Sequence, residues 1–325
     1  MGNGYGNTRV FATTSGKYLG AEIAARLSVP LGNAVVDRFN DGEVHVQIME
    51  NVRDHDVFIV APLHAPAENF FEAVLLADAA SRSSAARVTY VIPYMGYTRA
   101  DRKSASRMPI GIVIAFQVIL LGSPHRMIIL DVHADQSLAI VPNSVGTDHL
   151  YGSSALLPAL KSYLGESDFI VASPDKGGTT RAGFYAKHLA GSSDFAILSK
   201  ERVKAGEVNR ESIKIIGEVS GKVVVFVDDM IDTGGTMIAG AEAVKNAGAT
   251  GVVVCATHGL FSKNAMARLQ ASEIDRIFVT DSIWHEKERI AAECPKIEVV
   301  SVAELLAQAI RRTHEGESLS APIPD

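Results

Sequence analysis

The chain reads as an α/β protein of two similar domains, each a mostly parallel sheet flanked by helices. Three observations carry that reading. Short β-branched runs at 57–60, 88–92, 127–130, 169–172, 223–227 and 251–255 are apolar throughout, with no polar alternation, as strands are when helices cover both faces of a parallel sheet. Helical stretches at 67–81, 155–164 and 237–247 lie between them, and that alternation makes βα units. The length of 325 residues suits two domains on a prior of about 150 residues each.

Each element has its own warrant. The segment 110–122 is apolar but contains Gln117 and is too short to span a bilayer, so it predicts a buried helix. The stretch 142–152, rich in Pro, Asn, Gly and Ser, is the expected crossover between domains 1–150 and 151–325. The run 198–207 is polar and aperiodic and reads as a mobile loop. The tail from about 309 is expected to pack back on the N-terminal domain, with mobile last residues.

Composition excludes whole classes of function. With 47% hydrophobic and 21% charged residues the chain is not disordered, and a net charge of −6 argues against a general nucleic-acid or anionic-membrane binder. An anionic ligand therefore needs a locally basic site or a metal ion. Two cysteines, Cys255 and Cys294, are too few for a disulfide framework and fit a reducing compartment. The N-terminal residues lack a secretory pattern, and Gly6 stands where a myristoylation motif needs Ser or Thr, so a cytoplasmic location is expected.

The strongest motif is Val227-Asp228-Asp229-Met230-Ile231-Asp232-Thr233-Gly234-Gly235-Thr236. Loops at the carboxyl ends of parallel strands are where such sheets carry chemistry. Thr233, Gly234, Gly235 and Thr236 can turn backbone N–H groups and hydroxyls toward one phosphate beside a helix N-terminus. Asp228 and Asp229 suit vicinal sugar hydroxyls or a metal. Three acids in five residues repel one another unless a ligand or cation offsets them, whereas a plain helix cap would need none of them.

Other segments point the same way. In Arg38-Phe39-Asn40-Asp41-Gly42-Glu43, Phe39 can stack on a base while Asp41 and Glu43 accept from an amine or a ribose hydroxyl around the Asp-Gly turn. Arg99, Arg102 and Lys103 follow a strand, with Arg107 close behind, and such a cation cluster matches a polyphosphate. Asp131 and His133 follow another strand. Ser173-Pro174-Asp175-Lys176-Gly177-Gly178 follows a third, with paired glycines that let amides approach a pyrophosphate.

Taken together, these motifs resemble those of the ribose-phosphate pyrophosphokinase (phosphoribosyl pyrophosphate synthetase) family, from about residue 9 to 320. The resemblance implies phosphoribosyltransferase-type domains and transfer of a diphosphoryl group from ATP to ribose 5-phosphate. It implies ATP binding at Phe39, Asp41, Gly42, Glu43, Arg99 and Ala100, and sugar-phosphate binding at Arg202, Asp228, Asp229, Asp232, Thr233, Gly234, Gly235 and Thr236. Lys200 and Arg202 match the catalytic lysine and its arginine partner, on a loop that would close as a lid. Mg²⁺ is the implied cofactor, at His133 and Asp175, directly or through water. A homo-oligomer, dimer or hexamer, is implied as well. The chain departs from the family in four places: Ala100 replaces a glutamine, Glu201 an arginine, the run 137–141 differs, and 321–324 lacks the aromatic close. The last two imply altered control by phosphate and ADP. A phosphoribosyltransferase and a non-catalytic regulatory paralogue are the rival readings.

Overall fold

The computed structural model describes residues 5–201 and 212–319, and they fall into two compact units. The first unit is built on a five-stranded, wholly parallel sheet in the order β1-β4-β5-β6-β7. Its chain runs β1 (Thr8–Ala12), α1 (Lys17–Arg26), β2 (Ala34–Arg38), β3 (Val44–Ile48), β4 (Asp56–Val60), α2 (Glu68–Arg82), β5 (Arg87–Ile92), α3 (Gly111–Leu120), β6 (Arg126–Leu130) and β7 (Gly146–Leu150). The pair β2–β3 forms a separate antiparallel hairpin.

β4 is buried at every residue, and its Val57 and Ile59 join Tyr90, Ile92, Met127 and Ile129 in a core closed by Phe70, Leu76 and Phe116 from α2 and α3. Each such side chain removed from water contributes about 1.5–3 kcal/mol. The apolar run at 110–122 does form a helix, α3, but it is buried on one face only, through Ile112, Ala115, Phe116 and Ile119, and leaves Ile114 and Leu121 exposed. The stretch 142–152 is more than a crossover, because it contains β7. Five backbone pairings to β6 hold that edge strand, and pairing partners of this kind leave no trace in a half-buried, mixed sequence.

The second unit holds a seven-stranded sheet in the order β10-β9-β8-β11-β12-β13-β14. Its elements are α4 (Ser153–Leu164), β8 (Phe169–Ser173), α5 (Thr179–Ala190), β9 (Phe195–Glu201), β10 (Ser212–Ile216), β11 (Val223–Ile231), α6 (Gly235–Asn246), β12 (Gly251–Gly259), α7 (Ala265–Gln270), β13 (Arg276–Thr280), α8 (Lys287–Glu293) and β14 (Ile297–Val300). Among the described residues of this sheet, only β9–β10 pair antiparallel. Successive residues of β11 alternate between two cores: Val224 and Phe226 pack with Met237, Val244 and Leu269, while Val225 and Val227 pack with Leu160, Ala182 and Tyr185. Both faces are covered, which is why the strand shows no polar alternation.

The run 198–207 is not a loop throughout. Residues 198–201 continue β9, where Leu198 and Ser199 pair with Ile215 and Lys214 of β10, and cross-strand bonding outweighs their weak local pattern. The second unit also ends earlier than 325. Contacts assign the chain from Val302 onward, together with Ser282–Trp284, to the first unit. The reason lies in α9 (Ala303–Glu315), whose Leu306, Ala307 and Ile310 are buried and which packs against α1. The buried Asp56 carboxylate accepts from Arg87 and from His314 Nδ1 (2.9 Å), and Arg87 also donates to the Thr313 carbonyl (3.0 Å). Among the described residues, no helix is long and apolar enough to cross a membrane.

Candidate functional site

In the second unit the predicted residues gather at the carboxyl ends of two neighbouring strands, β8 and β11. The acids stand inside β11 rather than beyond its end: the strand runs on to Ile231 because Met230 and Ile231 are buried and pair with His258 and Gly259. Asp229 is 3% exposed and Asp228 half-buried. Asp228 Oδ1 accepts the Asp229 amide at 2.9 Å, and Arg181 of α5 brings Nη1 to 3.4 Å from Asp228 and 3.7 Å from Asp229. Burial first, and then repulsion from Asp229, push the Asp228 carboxyl up to about 8, against the opposing pull of Arg181. The pair thus holds one shareable proton near neutrality, a state suited to sugar hydroxyls that both donate and accept.

Beyond the strand, the loop is braced from one side. The Ile231 carbonyl accepts the Leu260 and Phe261 amides, the Asp232 carbonyl accepts the Ser262 amide (3.1 Å), and the Thr233 carbonyl accepts Arg268 Nη1 (3.2 Å). Gly234 sits at φ +73°, where a Cβ would stand 3.0 Å from Leu269 Cδ2, so only glycine fits without a shift. Its carbonyl accepts the Ile238 amide (3.0 Å), starting α6. With three consecutive carbonyls committed to the 260–268 segment, the first amides of α6 keep the helix's positive end available for an anion.

Asp175 is exposed just past β8. Its Oδ1 accepts the amides of Gly177 (2.7 Å) and Gly178 (3.1 Å), while among the described residues Oδ2 has no hydrogen-bond partner. Lys200 lies on β9 opposite Ile213, and Arg202 lies outside the described residues.

In the first unit the loops after β5 and β6 leave adjacent strands of one sheet, which sets the Arg99 and His133 segments along a common edge. Arg99, Arg102, Lys103 and Arg107 are exposed, and Tyr97 and Arg107 hold left-handed backbone at φ +63° and +65°. Ala100 packs where a Cβ on Gly111 would meet it at 3.0 Å, and its amide closes a turn on the Tyr97 carbonyl. Asp131 is buried and also left-handed at φ +38°, bonded through its amide to Leu150, while His133 is exposed.

The Asp41–Glu43 segment tips the β2–β3 hairpin. Gly42 adopts φ +92°, its amide reaches the Phe39 carbonyl (2.9 Å), and Asp41 Oδ1 accepts the Glu43 amide (3.1 Å). Phe39 is 52% exposed, its ring 4.5 Å from that of His45. An exposed aromatic at a hairpin tip is free to take a planar partner. Arg38 ties the hairpin to α2 through the buried Glu72 (2.8 Å).

Two cations escaped the sequence reading as site residues. Arg181 lies three residues past the Gly177-Gly178 pair but carries no local signal of its role as counter-ion to Asp228 and Asp229. Arg268 sits on another helix, 35 residues from the carbonyl it holds. No cluster of three or more His, Cys, Asp or Glu suited to a metal occurs among the described residues. Mg²⁺ keeps most of its water and takes one or two protein ligands plus substrate phosphates, so single ligands such as the exposed Asp175 and His133 fit an ion that arrives with a polyphosphate.

Comparison with known proteins extends these observations. Residues 8–120 match the N-terminal domain of ribose phosphate pyrophosphokinase, and residues 192–322 match the phosphoribosyl synthetase-associated domain. The chain is 44% identical over 317 residues to the ribose-phosphate pyrophosphokinase of Xylella fastidiosa (strain Temecula1), covering 97% of this chain and 96% of that one. It is 41% identical over 318 residues to that of Parasynechococcus marenigrum (strain WH8102), covering 96% and 92%. The crystal structure of phosphoribosylpyrophosphate synthetase from Mycobacterium smegmatis superposes with a TM-score of 0.87 at 30% identity, over 96% of this chain and 100% of that one.

Proposed function

The chain belongs to the ribose-phosphate pyrophosphokinase family, and we propose that its two units divide the two substrates of that reaction between them. It is an enzyme that transfers the β,γ-diphosphoryl group of ATP to the 1-hydroxyl of ribose 5-phosphate. The sugar's O1 bonds to the β-phosphorus while the bond from that phosphorus to the α–β bridging oxygen breaks; AMP leaves with the electron pair, and the 1-hydroxyl proton passes to solvent. Whole-length relatives bearing the enzyme's name support this over a phosphoribosyltransferase or a regulatory paralogue.

The residue roles are our assignment. The loop Asp232, Thr233, Gly234, Gly235 and Thr236 anchors the 5-phosphate on the first turn of α6, and Asp228 with Asp229 orients the ribose hydroxyls. Phe39 stacks on the adenine while Asp41, Gly42 and Glu43 meet its edge, and Arg99 with Ala100 contacts the nucleotide. Lys200 and Arg202 bring positive charge to the transferring group, whose growing negative charge is what the protein has to stabilise. Mg²⁺ would supply positive charge against the nucleotide phosphates, and His133 and Asp175 are the residues that would hold it. The observation that carries the reading is the braced loop after β11, a phosphate seat directly beyond a carboxylate pair.

We also infer a cytoplasmic homo-oligomer. Two buried cysteines, neither in a disulfide, fit a reducing compartment, and the exposed apolar Phe71 and Ile114 on the neighbouring helices α2 and α3 suit contact with a second copy. The test of the activity is AMP formation in Mg²⁺ and ATP as ribose 5-phosphate is added. Release in step with added sugar is expected, and AMP that forms equally without sugar would overturn the assignment.

A further inference from the structure

We propose that Arg268 is a phosphate-selecting residue of the sugar site, supplying the positive charge that the loop after β11 does not carry itself. This rests on the reading of that loop as the seat of the 5-phosphate. The motif from Val227 to Thr236 contains three carboxylates and no cation, yet its proposed ligand is a dianion. Arg181 is already committed to Asp228 and Asp229. Helix-end amides alone contribute a modest partial charge, equivalent to roughly half an elementary charge. Left there, the electrostatic balance would disfavour a phosphate so close to acids.

Arg268 closes that gap from a different element. It lies on α7, and its Nη1 donates to the Thr233 carbonyl at 3.2 Å. Its Nη2 reaches the first residue of α6: the position a Cβ would take on Gly235 is 3.8 Å from Nη2 and 3.8 Å from Thr233 Oγ1. The guanidinium and the Thr233 hydroxyl therefore flank the backbone that the phosphate would meet. Among the described residues no ion pair of Arg268 occurs, and its side chain is exposed. A guanidinium presents five donors in a planar fork, so one arm can hold the loop carbonyl while the other faces phosphate oxygens. Arg268 thus both positions the loop, through Thr233, and selects for a charged substituent on the sugar.

The experiment compares the full-length wild type with Arg268→Gln and Arg268→Lys. Ribose 5-phosphate is titrated calorimetrically in Mg²⁺ and the non-reacting analogue α,β-methylene-ATP, alongside the steady-state KM for ATP and thermal unfolding. Arg268→Gln keeps a polar side chain at this position but removes the charge. It should weaken ribose 5-phosphate binding about tenfold, as loss of a charge-assisted contact does. Arg268→Lys keeps the charge but loses the fork, so it should lie between the two, about threefold weaker than wild type. The KM for ATP should not move, and the deficit of the Gln variant should shrink at 0.5 M salt as screening lengths fall to roughly 4 Å. Equal affinity in the wild type and the Gln variant would overturn the proposal, as would equal losses in the Gln and Lys variants. If the Gln variant does not fold, Lys binding that drops tenfold in a stably folded protein has the same consequence. Absence of binding by the wild type would instead overturn the reading of the loop on which the proposal stands.

Discussion

The loop after β11 and the loop after β5 both leave the carboxyl edge of a parallel sheet, yet they are built differently. The first is short. Consecutive carbonyls are tied to the 260–268 segment, a glycine is fixed at φ +73°, and the functional groups are backbone amides and buried acids. The second is long and carries its chemistry on exposed cationic side chains, Arg99, Arg102, Lys103 and Arg107. In the proposed site, a rigid cradle of amides would measure the size and position of one phosphate. Long basic side chains accommodate a chain of several phosphates and lose rotamer freedom in doing so. Damage to one region should therefore fall on one substrate.

The largest effect should come from the acid pair. Asp228→Asn is expected to lower kcat/KM for ribose 5-phosphate about a hundredfold, because an amide cannot share a proton with Asp229 and the sugar hydroxyls as the carboxyl does, with the KM for ATP within about twofold. Steady-state kinetics with each substrate varied checks this, and an equal loss toward ATP would erase the contrast between the loops. Next, Arg99→Ala should raise the KM for ATP about tenfold and leave ribose 5-phosphate unchanged, as loss of one charge-assisted contact implies. Gly234→Ala meets both left-handed strain and Leu269, so it should cost about 1–3 kcal/mol in thermal or denaturant unfolding. The same variant should weaken sugar binding but not nucleotide binding.

A subtler effect concerns pH. The folded Asp228 carboxyl titrates at about 8, above its usual value of 3.8, so the folded chain binds more protons than the unfolded chain between these values. Its contribution to stability is thus present at the acid side of that window and is lost as pH rises toward 8. Asp228→Asn should flatten the decline of unfolding free energy over this range even as it impairs the enzyme, and a denaturant series at several pH values reads the slope. The smallest change is expected from Ala100→Gln, which restores a side chain at a position facing Gly111; the KM for ATP should move by less than about threefold.

Much of this was legible before any coordinates. Apolar runs with no alternation reveal strands covered on both faces, and the Asp-Thr-Gly-Gly-Thr order predicts the tight glycine turn that leads from β11 into α6. What stayed hidden depends on partners distant in sequence. β7 and the end of β9 exist through pairing with β6 and β10, and α9 joins the first unit through a buried face and the Asp56 cluster. Arg181 and Arg268 are ordinary surface-type residues on helices until the fold carries them to Asp228, Asp229 and Thr233. Periodicity reads local geometry well and says nothing about which guanidinium will stand opposite which carbonyl.

The most direct test of the account follows phosphorus itself. In ³¹P NMR of the enzyme with Mg²⁺, ATP and ribose 5-phosphate, the signals of ATP should be replaced by AMP and an equal amount of a coupled diphosphate pair on the sugar. Accumulation of ADP with a sugar carrying a second single phosphate would mean that the bond broken lies between the β- and γ-phosphates, and would contradict the account.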